Sequence, residues 1–191
     1  MRRREFLGGI AWWSLATLPS RSQAQTFPAV GSNLAFALTA PDGTSVTEQT
    51  YRGKWLVIYF GCTFCPDVCP TTLMEIGGAL KALGPRADRV QAIFITIDPH
   101  RDTPAVVNEY LKAFDQRIIG LTGTPAQIAA VAKAFHVFYE RNDTEDGSYL
   151  YDHSAFIYLV NPDGKFAKAI NSEGSSQAVA NALLTLMTAA Q

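Results

Sequence analysis

Apolar residues along the chain follow two alternating patterns. Residues 55–60 and 90–97 are nearly continuous apolar runs, which predict strands that are buried on both faces. Between these runs, Leu73, Ile76 and Leu80 recur at helical spacing, which predicts a helix. The first half of the chain is therefore expected to alternate strand, helix and strand.

The second half continues this alternation and then departs from it. Thr103-Pro104 predicts a helix start, with threonine as the cap and proline at the first helical position. The Asn-Pro-Asp-Gly sequence at 161–164 is a hairpin turn signal between strands predicted at 154–160 and 165–169. The other predicted elements are a strand at 34–38, a strand at 118–121, a helix after Thr124-Pro125 and a closing helix from about Ser176.

These elements together predict one α/β domain over residues 25–191. We expect a thioredoxin-like three-layer sandwich with a central mixed sheet, an N-terminal extension, and a C-terminal hairpin plus helix. The hairpin favours this type, because a purely doubly wound parallel sheet would lack it. The length of 191 residues fits one domain, since a typical domain has ~100–200 residues.

The first 24 residues have the pattern of an export signal. Arginines at positions 2 to 4 precede an apolar stretch at 6–18, and Ser22-Gln23-Ala24 offers small residues around a cleavage point. Arg3-Arg4 followed by Glu-Phe-Leu is typical of the twin-arginine signal. A membrane-spanning helix needs ~20 apolar residues, more than this stretch has, so we expect cleavage and a periplasmic or otherwise extracytoplasmic domain.

Composition excludes one class of partner. The chain has 16 basic and 17 acidic residues, and removal of residues 1–24 leaves a net charge of −4. Such a balance gives no positive field for a nucleic-acid backbone. We expect a monomer that binds no nucleic acid.

All three cysteines lie between the strand at 55–60 and the following helix. Cys62, Cys65 and Cys69 therefore occupy a loop at the carboxyl end of a strand, where open α/β sheets usually carry their chemistry. Prolines 66 and 70 predict one tight turn from Cys65 to Cys69, with the main helix starting at Pro70. Two cysteines one turn apart have Cβ atoms roughly 5–6 Å apart, close enough to share one metal ion or to form a disulfide.

Two sulfurs make an incomplete metal site, so the histidines are candidate ligands. His100 lies in a loop after a predicted strand, His136 falls in the predicted third helix, and His153 precedes the strand predicted at 154–160. A histidine in each of these positions is commonly a packed or surface residue. Spacing alone therefore assigns none of them to the cysteines.

Four separate motifs resemble those of the SCO/SenC family, and they occur in the family's order over about residues 30–190. They are Phe60-Gly61-x-Thr63-x-Cys65-Pro66-Asp67-x-Cys69-Pro70-Thr71-Thr72-Leu73, Asp98-Pro99-x-Arg101-Asp102-Thr103-Pro104 with Tyr110 and Phe114, Gly120-Leu121-Thr122-Gly123-Thr124, and Asp152-His153-Ser154 through Asn161-Pro162-Asp163-Gly164. A single CxxxC motif is weak evidence, whereas four ordered motifs are specific.

The resemblance implies a copper-binding protein of thioredoxin-like fold. Carried over to this sequence, the ligands of one Cu(I) or Cu(II) ion are Cys65, Cys69 and His153. The family delivers copper to the dinuclear copper site of cytochrome c oxidase subunit II, which predicts that subunit or a related copper acceptor as the partner. The alternative is a thiol–disulfide oxidoreductase that reduces the subunit's cysteines through Cys65 and Cys69. Family members often carry a membrane anchor, so membrane attachment stays open here.

Cys62 departs from the family, which usually has an aromatic residue at this position. One interpretation is a small buried residue at a strand end, and the other is a third thiol that resolves mixed disulfides or reduces Cu(II). Asp67 and Asp152 are candidates to orient the ligands through hydrogen bonds. A structural zinc site is disfavoured, because a fourth protein ligand is not apparent.

Overall fold

The computed structural model describes residues 34–172 and 174–190. The predicted export signal at 1–24 and the start of the lead-in at 25–33 lie outside the described residues. Within the described part, no helix combines the length and the apolar character needed to cross a membrane.

A five-stranded mixed sheet forms the centre of the fold. Its strands, in spatial order, are β5 (Ile118–Leu121), β4 (Val90–Thr96), β3 (Trp55–Gly61), β8 (Phe156–Val160) and β9 (Phe166–Asn171). The first three are parallel to one another, and the last two are antiparallel to their neighbours. The expected thioredoxin-like α/β fold with a mixed sheet is thus confirmed, including its C-terminal hairpin.

The central strand β3 is buried at all seven positions, as its apolar run predicts. Val57 and Tyr59 belong to one hydrophobic core, and Ile58 and Phe60 belong to the other. Because side chains of a strand alternate between its two faces, the sheet divides the interior into two cores. Each core needs a layer of helix or ribbon to cover it.

Helices cover the two faces unequally. The four helices of the described residues are α1 (Val68–Ala82), α2 (Pro104–Leu111), α3 (Pro125–Ala134) and α4 (Ser176–Ala189). Residues of α1, α2 and α4 pack in the core of Val57, whereas residues of α3 pack in the core of Phe60. Beside α3 lies a two-stranded ribbon of β1 (Ala37–Thr39) and β2 (Ser45–Thr47), the expected N-terminal extension.

The predicted helix caps explain where two of these helices begin. The Thr103 hydroxyl accepts a hydrogen bond from the Val106 N–H at the start of α2. At the start of α3, the Thr124 hydroxyl accepts from the Gln127 N–H, while the Gln127 side chain accepts from the Thr124 N–H. Both helices have proline at the first helical position, as the sequence indicates.

Several predicted boundaries were wrong. Helix α1 begins at Val68 rather than Pro70, because proline is tolerated anywhere in the first turn of a helix. The first strand is shorter than predicted, at Ala37–Thr39 rather than 34–38. His136 lies after α3 rather than within it, and its φ of 54° places it in the left-handed region.

The sequence prediction also missed a complete hairpin. Strands β6 (Tyr139–Asp143) and β7 (Tyr149–His153) pair antiparallel, with Tyr139 opposite His153. Most of their side chains are exposed, so the apolar alternation that marks a strand is weak. The turn sequence Asp146-Gly147, with Gly147 at a φ of 81°, is the feature of the sequence that indicates this hairpin. His153 is therefore the last residue of β7, whereas the sequence predicted it outside any strand, directly before the one at 154–160.

Candidate metal centre

The three cysteines lie where β3 ends and α1 begins. Cys62 directly follows β3, Cys65 lies in the connecting turn, and Cys69 is the second residue of α1. The turn is held by a hydrogen bond from the Cys65 N–H to the Cys62 carbonyl at 3.4 Å. The three Sγ atoms lie within 4.8 Å of one another. A buried strand and the buried face of a helix thus bring all three sulfurs to one point.

His153 reaches the same point from the β6–β7 hairpin. Its Nε2 atom lies 3.6 Å from the Sγ of Cys65 and 3.4 Å from the Sγ of Cys69. Its Nδ1 atom is 3.1 Å from the Ser154 carbonyl, which only accepts hydrogen bonds, so Nδ1 carries a proton. This contact orients the ring with Nε2 toward the two sulfurs.

The groups of the centre shift one another's proton affinities in the metal-free chain. Hydrogen bonds from Cys62 and Cys65, with a further contribution from His153, outweigh burial and lower the pKa of Cys69. Hydrogen bonds to Cys65 and Cys69, together with burial, raise the pKa of Cys62. Burial acts to lower the pKa of His153, but its contacts with Cys65 and Cys69 prevail and raise it to about 10. These shifts favour a deprotonated Cys69 beside a protonated His153 in the metal-free centre.

A buried carboxylate fixes the cysteine loop to the sheet. Asp102 is fully buried, and it accepts hydrogen bonds from the Thr63 N–H at 3.0 Å, the Thr63 hydroxyl at 2.6 Å and the Thr96 hydroxyl at 2.6 Å. Burial raises the pKa of Asp102 even though these hydrogen bonds act to lower it. Since Thr63 immediately follows Cys62, this network fixes the backbone from which the cysteines project.

A second group of side chains attaches the hairpin to the same region. The Tyr149 hydroxyl donates to the buried carboxylate of Asp98 at 3.0 Å, and Arg101 forms an ion pair with that carboxylate. Arg101 also donates to the Tyr149 carbonyl at 2.9 Å. The guanidinium stacks over the Tyr149 ring at 3.7 Å and over the Phe64 ring at 4.5 Å. Arg101 therefore contacts both the strand that carries His153 and the loop that carries the cysteines.

The other candidate residues lie elsewhere or serve other contacts. His100 and His136 are exposed and are not among the groups that contact the sulfurs in the described structure. Asp152 accepts a hydrogen bond from the Asn142 side chain, and the backbone of Ser154 orients His153 instead. The side chain of Asp67 makes no capping hydrogen bond to α1.

Sequence reasoning missed Asp98, Arg101 and Asp102 as parts of the site, although they belong to a motif used for the resemblance. They are more than 25 residues from the cysteines in sequence, so spacing gave no reason to associate them with the sulfurs. Tyr149 lies only four positions before His153 in the sequence. Its phenol–carboxylate contact with Asp98 depends on a hairpin that was not predicted.

The centre is open to solvent on one side. Cys69 is fully buried, whereas Cys65 and His153 are partly exposed and line a cavity together with Pro66, Val68 and Leu150. Two thiolates and an imidazole are ligands for soft or borderline metals. A metal held here would therefore be bound from the protein interior and reached from the cavity.

The fold and this centre define a class: a thioredoxin-like domain with a CxxxC pair and a distal histidine. The family model SCO1/SenC matches residues 24–188, and the chain belongs to that family. "Protein SCO1 homolog 1, mitochondrial" of Arabidopsis thaliana is 42% identical over 134 residues, which are 70% of this chain but 40% of that protein. The chain thus aligns with less than half of that relative.

Solved structures of similar proteins contain copper. Bradyrhizobium japonicum ScoI with copper bound is 45% identical, with a TM-score of 0.74 over 79% of this chain and 96% of that chain. Arabidopsis thaliana ScoI with copper bound is 37% identical, with a TM-score of 0.78 over 84% of this chain and 99% of that chain. The relatives that contain copper therefore share both the fold and a substantial part of the sequence.

Proposed function

We propose that the chain is a copper metallochaperone that binds one copper ion through Cys65, Cys69 and His153. The observation that carries this proposal is the approach of the His153 Nε2 atom to both sulfurs, at 3.6 and 3.4 Å. The three residues come from different elements, and their donor atoms meet at a partly exposed point. Copper bound in similar structures supports the identity of the metal.

The donor set suits copper in both of its common oxidation states. Thiolates are soft ligands that select Cu(I), and an imidazole is a suitable ligand for Cu(II). In the metal-free chain the lowered pKa of Cys69 favours the deprotonated form of its sulfur. That thiolate is available to the metal without first losing a proton.

The site also suits transfer of the ion to a partner. Cys65 and His153 face the cavity, and Phe64, Val68 and Leu150 around them are exposed apolar side chains. A thiol on an acceptor protein is able to approach from this side and replace one ligand at a time. We propose the dinuclear copper site of cytochrome c oxidase subunit II, or a related copper acceptor, as the recipient.

The proposed location follows from the N-terminal sequence. Residues 1–24 act as a twin-arginine export signal, and residues 25–191 are the mature domain. That domain works as a monomer in the periplasm, on the side of the membrane where a copper acceptor of the oxidase would be folded.

A thiol–disulfide oxidoreductase is the competing function, because the described cysteines are all free thiols. In that reaction the thiolate of one cysteine attacks the partner's disulfide, and the second cysteine then displaces the reduced partner. Two electrons pass to the partner, and Cys65 and Cys69 become a disulfide. The complete burial of Cys69 disfavours it as the attacking thiolate, so Cys65 would have to attack first.

One experiment separates the two functions. The reduced, copper-loaded chain is mixed with the reduced, metal-free copper domain of subunit II, and the metal-free reduced chain is mixed with the same domain in its disulfide form. Copper delivery predicts transfer of the ion in the first mixture and slow thiol exchange in the second. Rapid reduction of the disulfide in the second mixture, with no copper transfer in the first, would overturn the proposal.

A further inference from the structure

Cys62 is placed to do more than fill space at the end of β3. Its side chain is 1% exposed, yet its Sγ lies within 4.8 Å of the Sγ atoms of both Cys65 and Cys69. An apolar core residue in this position would offer no donor atom beside those two sulfurs. Here the residue adds a third sulfur to them.

The three sulfurs match the spacing that one metal ion requires. Metal–thiolate bonds of ~2.3 Å place three sulfurs around one ion about 4 Å apart. The three Sγ atoms lie no more than 4.8 Å apart, so shifts of less than about 1 Å would bring them to that spacing. The backbone at Cys62 is well fixed, since the Ile97 N–H donates to the Gly61 carbonyl at 2.8 Å and Thr63 bonds to Asp102.

The three sulfur atoms and the imidazole nitrogen come from two parts of the fold. All three sulfurs come from the junction of β3 and α1, whereas the imidazole comes from the hairpin. A metal ion is thus able to bind three ligands within one continuous eight-residue segment, 62–69, before the fourth joins it.

We propose that Cys62 is a third sulfur ligand and that the centre of this chain prefers Cu(I) because of it. The proposal rests on the copper-binding function above and extends it to a residue outside the CxxxC pair. On binding, Cys62 loses its thiol proton to solvent and forms a sulfur–copper bond, and copper keeps its oxidation state. Three thiolates with one imidazole make a softer set than two thiolates with one imidazole, and soft sets favour Cu(I) over Cu(II).

The test compares the reduced full chain with its Cys62→Ser variant under anaerobic conditions. Serine keeps the shape of the side chain but replaces the soft sulfur with a hydroxyl, and Cys62→Ala controls for the polar group. Cu(I) affinity is measured by competition with a chromophoric Cu(I) chelator. Loss of a group that only supports a ligand typically costs about 10–100-fold, so loss of this sulfur is expected to weaken Cu(I) binding at least about tenfold.

X-ray absorption spectroscopy of the Cu(I) forms gives a readout that does not depend on affinity. We expect three sulfur neighbours in the natural chain and two in both variants, with one copper per chain in every case. Circular dichroism and thermal unfolding verify that the variants fold. If a variant does not fold, the sulfur count of the natural chain decides by itself.

The outcomes separate this inference from the proposed function. Two sulfur neighbours in the natural chain, with unchanged affinity in Cys62→Ser, would overturn the role of Cys62 alone. A Cys65→Ser variant serves as the reference, since it removes a ligand of the proposed function. Unchanged Cu(I) binding in Cys65→Ser would overturn the proposed function itself.

Discussion

The two sides of the metal centre are built differently. The cysteines lie at the junction between a strand that is buried at every position and a helix that covers a hydrophobic core. His153 projects from a hairpin whose side chains are mostly exposed. One side belongs to the core of the domain, and the other is attached to its surface by a few polar and aromatic contacts.

Because of this difference, the two sides are expected to contribute differently to stability and to metal binding. Burial and the hydrogen bonds of Asp102 hold the sulfurs in place in the metal-free chain. The hairpin depends on Asp98, Arg101 and Tyr149, so it is able to open at a lower free-energy cost than the core. We therefore expect variants of the sulfur side to change metal binding and stability together, and variants of the hairpin to change binding with little effect on the core.

Cys69→Ser is expected to have the largest effect. It removes the buried thiolate, and copper affinity should fall more than about a hundredfold, since loss of an outer supporting group alone costs about 10–100-fold. Competition with a copper chelator measures this. The matched variant Cys65→Ser should lose binding with less loss of stability, because Cys65 is partly exposed and Cys69 is in the core. Equal copper affinity in Cys69→Ser and the natural chain would show that Cys69 is not a copper ligand.

His153→Ala is expected to weaken copper binding by at least about tenfold, since loss of a group that only supports a ligand already costs about 10–100-fold. The sulfurs are held by other elements, so a partial site should persist. The Cu(II) absorption spectrum should also change, because the imidazole is lost. His136→Ala is the control, since that histidine is exposed and away from the sulfurs. Full affinity and an unchanged spectrum in His153→Ala would contradict the ligand assignment.

Asp102→Asn tests whether the Asp102 carboxylate stabilises the loop that carries the cysteines. The amide would direct an NH₂ group at donors from Thr63 or Thr96, and an unsatisfied buried donor costs roughly 1–3 kcal/mol. The free energy of unfolding of the metal-free chain, measured in urea, should fall by that amount. Asp88→Asn, at an exposed position, should change it by less than about 0.5 kcal/mol. Equal stability of the two variants would show that Asp102 does not fix the loop.

The stabilisation that the contacts of His153 with Cys65 and Cys69 give to the reduced, metal-free chain should depend on pH. The folded-state pKa of His153 is raised to about 10 from an ordinary value of 6.5, so the folded state binds its proton more tightly than the unfolded state. The stabilisation is therefore fully present below pH 6.5 and is lost as the pH rises through about 10. The difference in unfolding free energy between the natural chain and His153→Gln should follow this course. A difference that increased with pH would contradict it.

Tyr149→Phe should produce the smallest change and confine it to the hairpin. It removes the hydrogen bond to Asp98, which is worth about 0.5–1.5 kcal/mol, so amide hydrogens of β6 and β7 should exchange roughly two- to tenfold faster. Amides of β3 and α1 should keep their protection. Tyr151→Phe, which removes a hydroxyl from the same strand outside the Asp98 contact, is the control. Faster exchange in β3 would mean that the hairpin and the core open together.

The core and the site differed in how far they could be predicted from sequence. The apolar runs of β3 and β4 and the caps Thr103 and Thr124 specify their elements locally, because burial on two faces and capping each leave a short-range pattern. The hairpin β6–β7 leaves almost no such pattern, since its exposed strands carry charged residues. The position of His153 at the end of β7 was therefore missed, although the residue itself was identified through the resemblance.

By itself, the sequence determined the order of the buried strands and of the helices, the mixed sheet and the grouping of three sulfurs in one loop. Tertiary structure decided which histidine reaches those sulfurs, because Cys69 and His153 are 84 positions apart and meet only when the hairpin is attached to the folded sheet. It also decided the surroundings of Cys62, whose sulfur points toward the other two. Local patterns encode burial and chain reversal, whereas a contact between distant side chains depends on the packing of the whole domain.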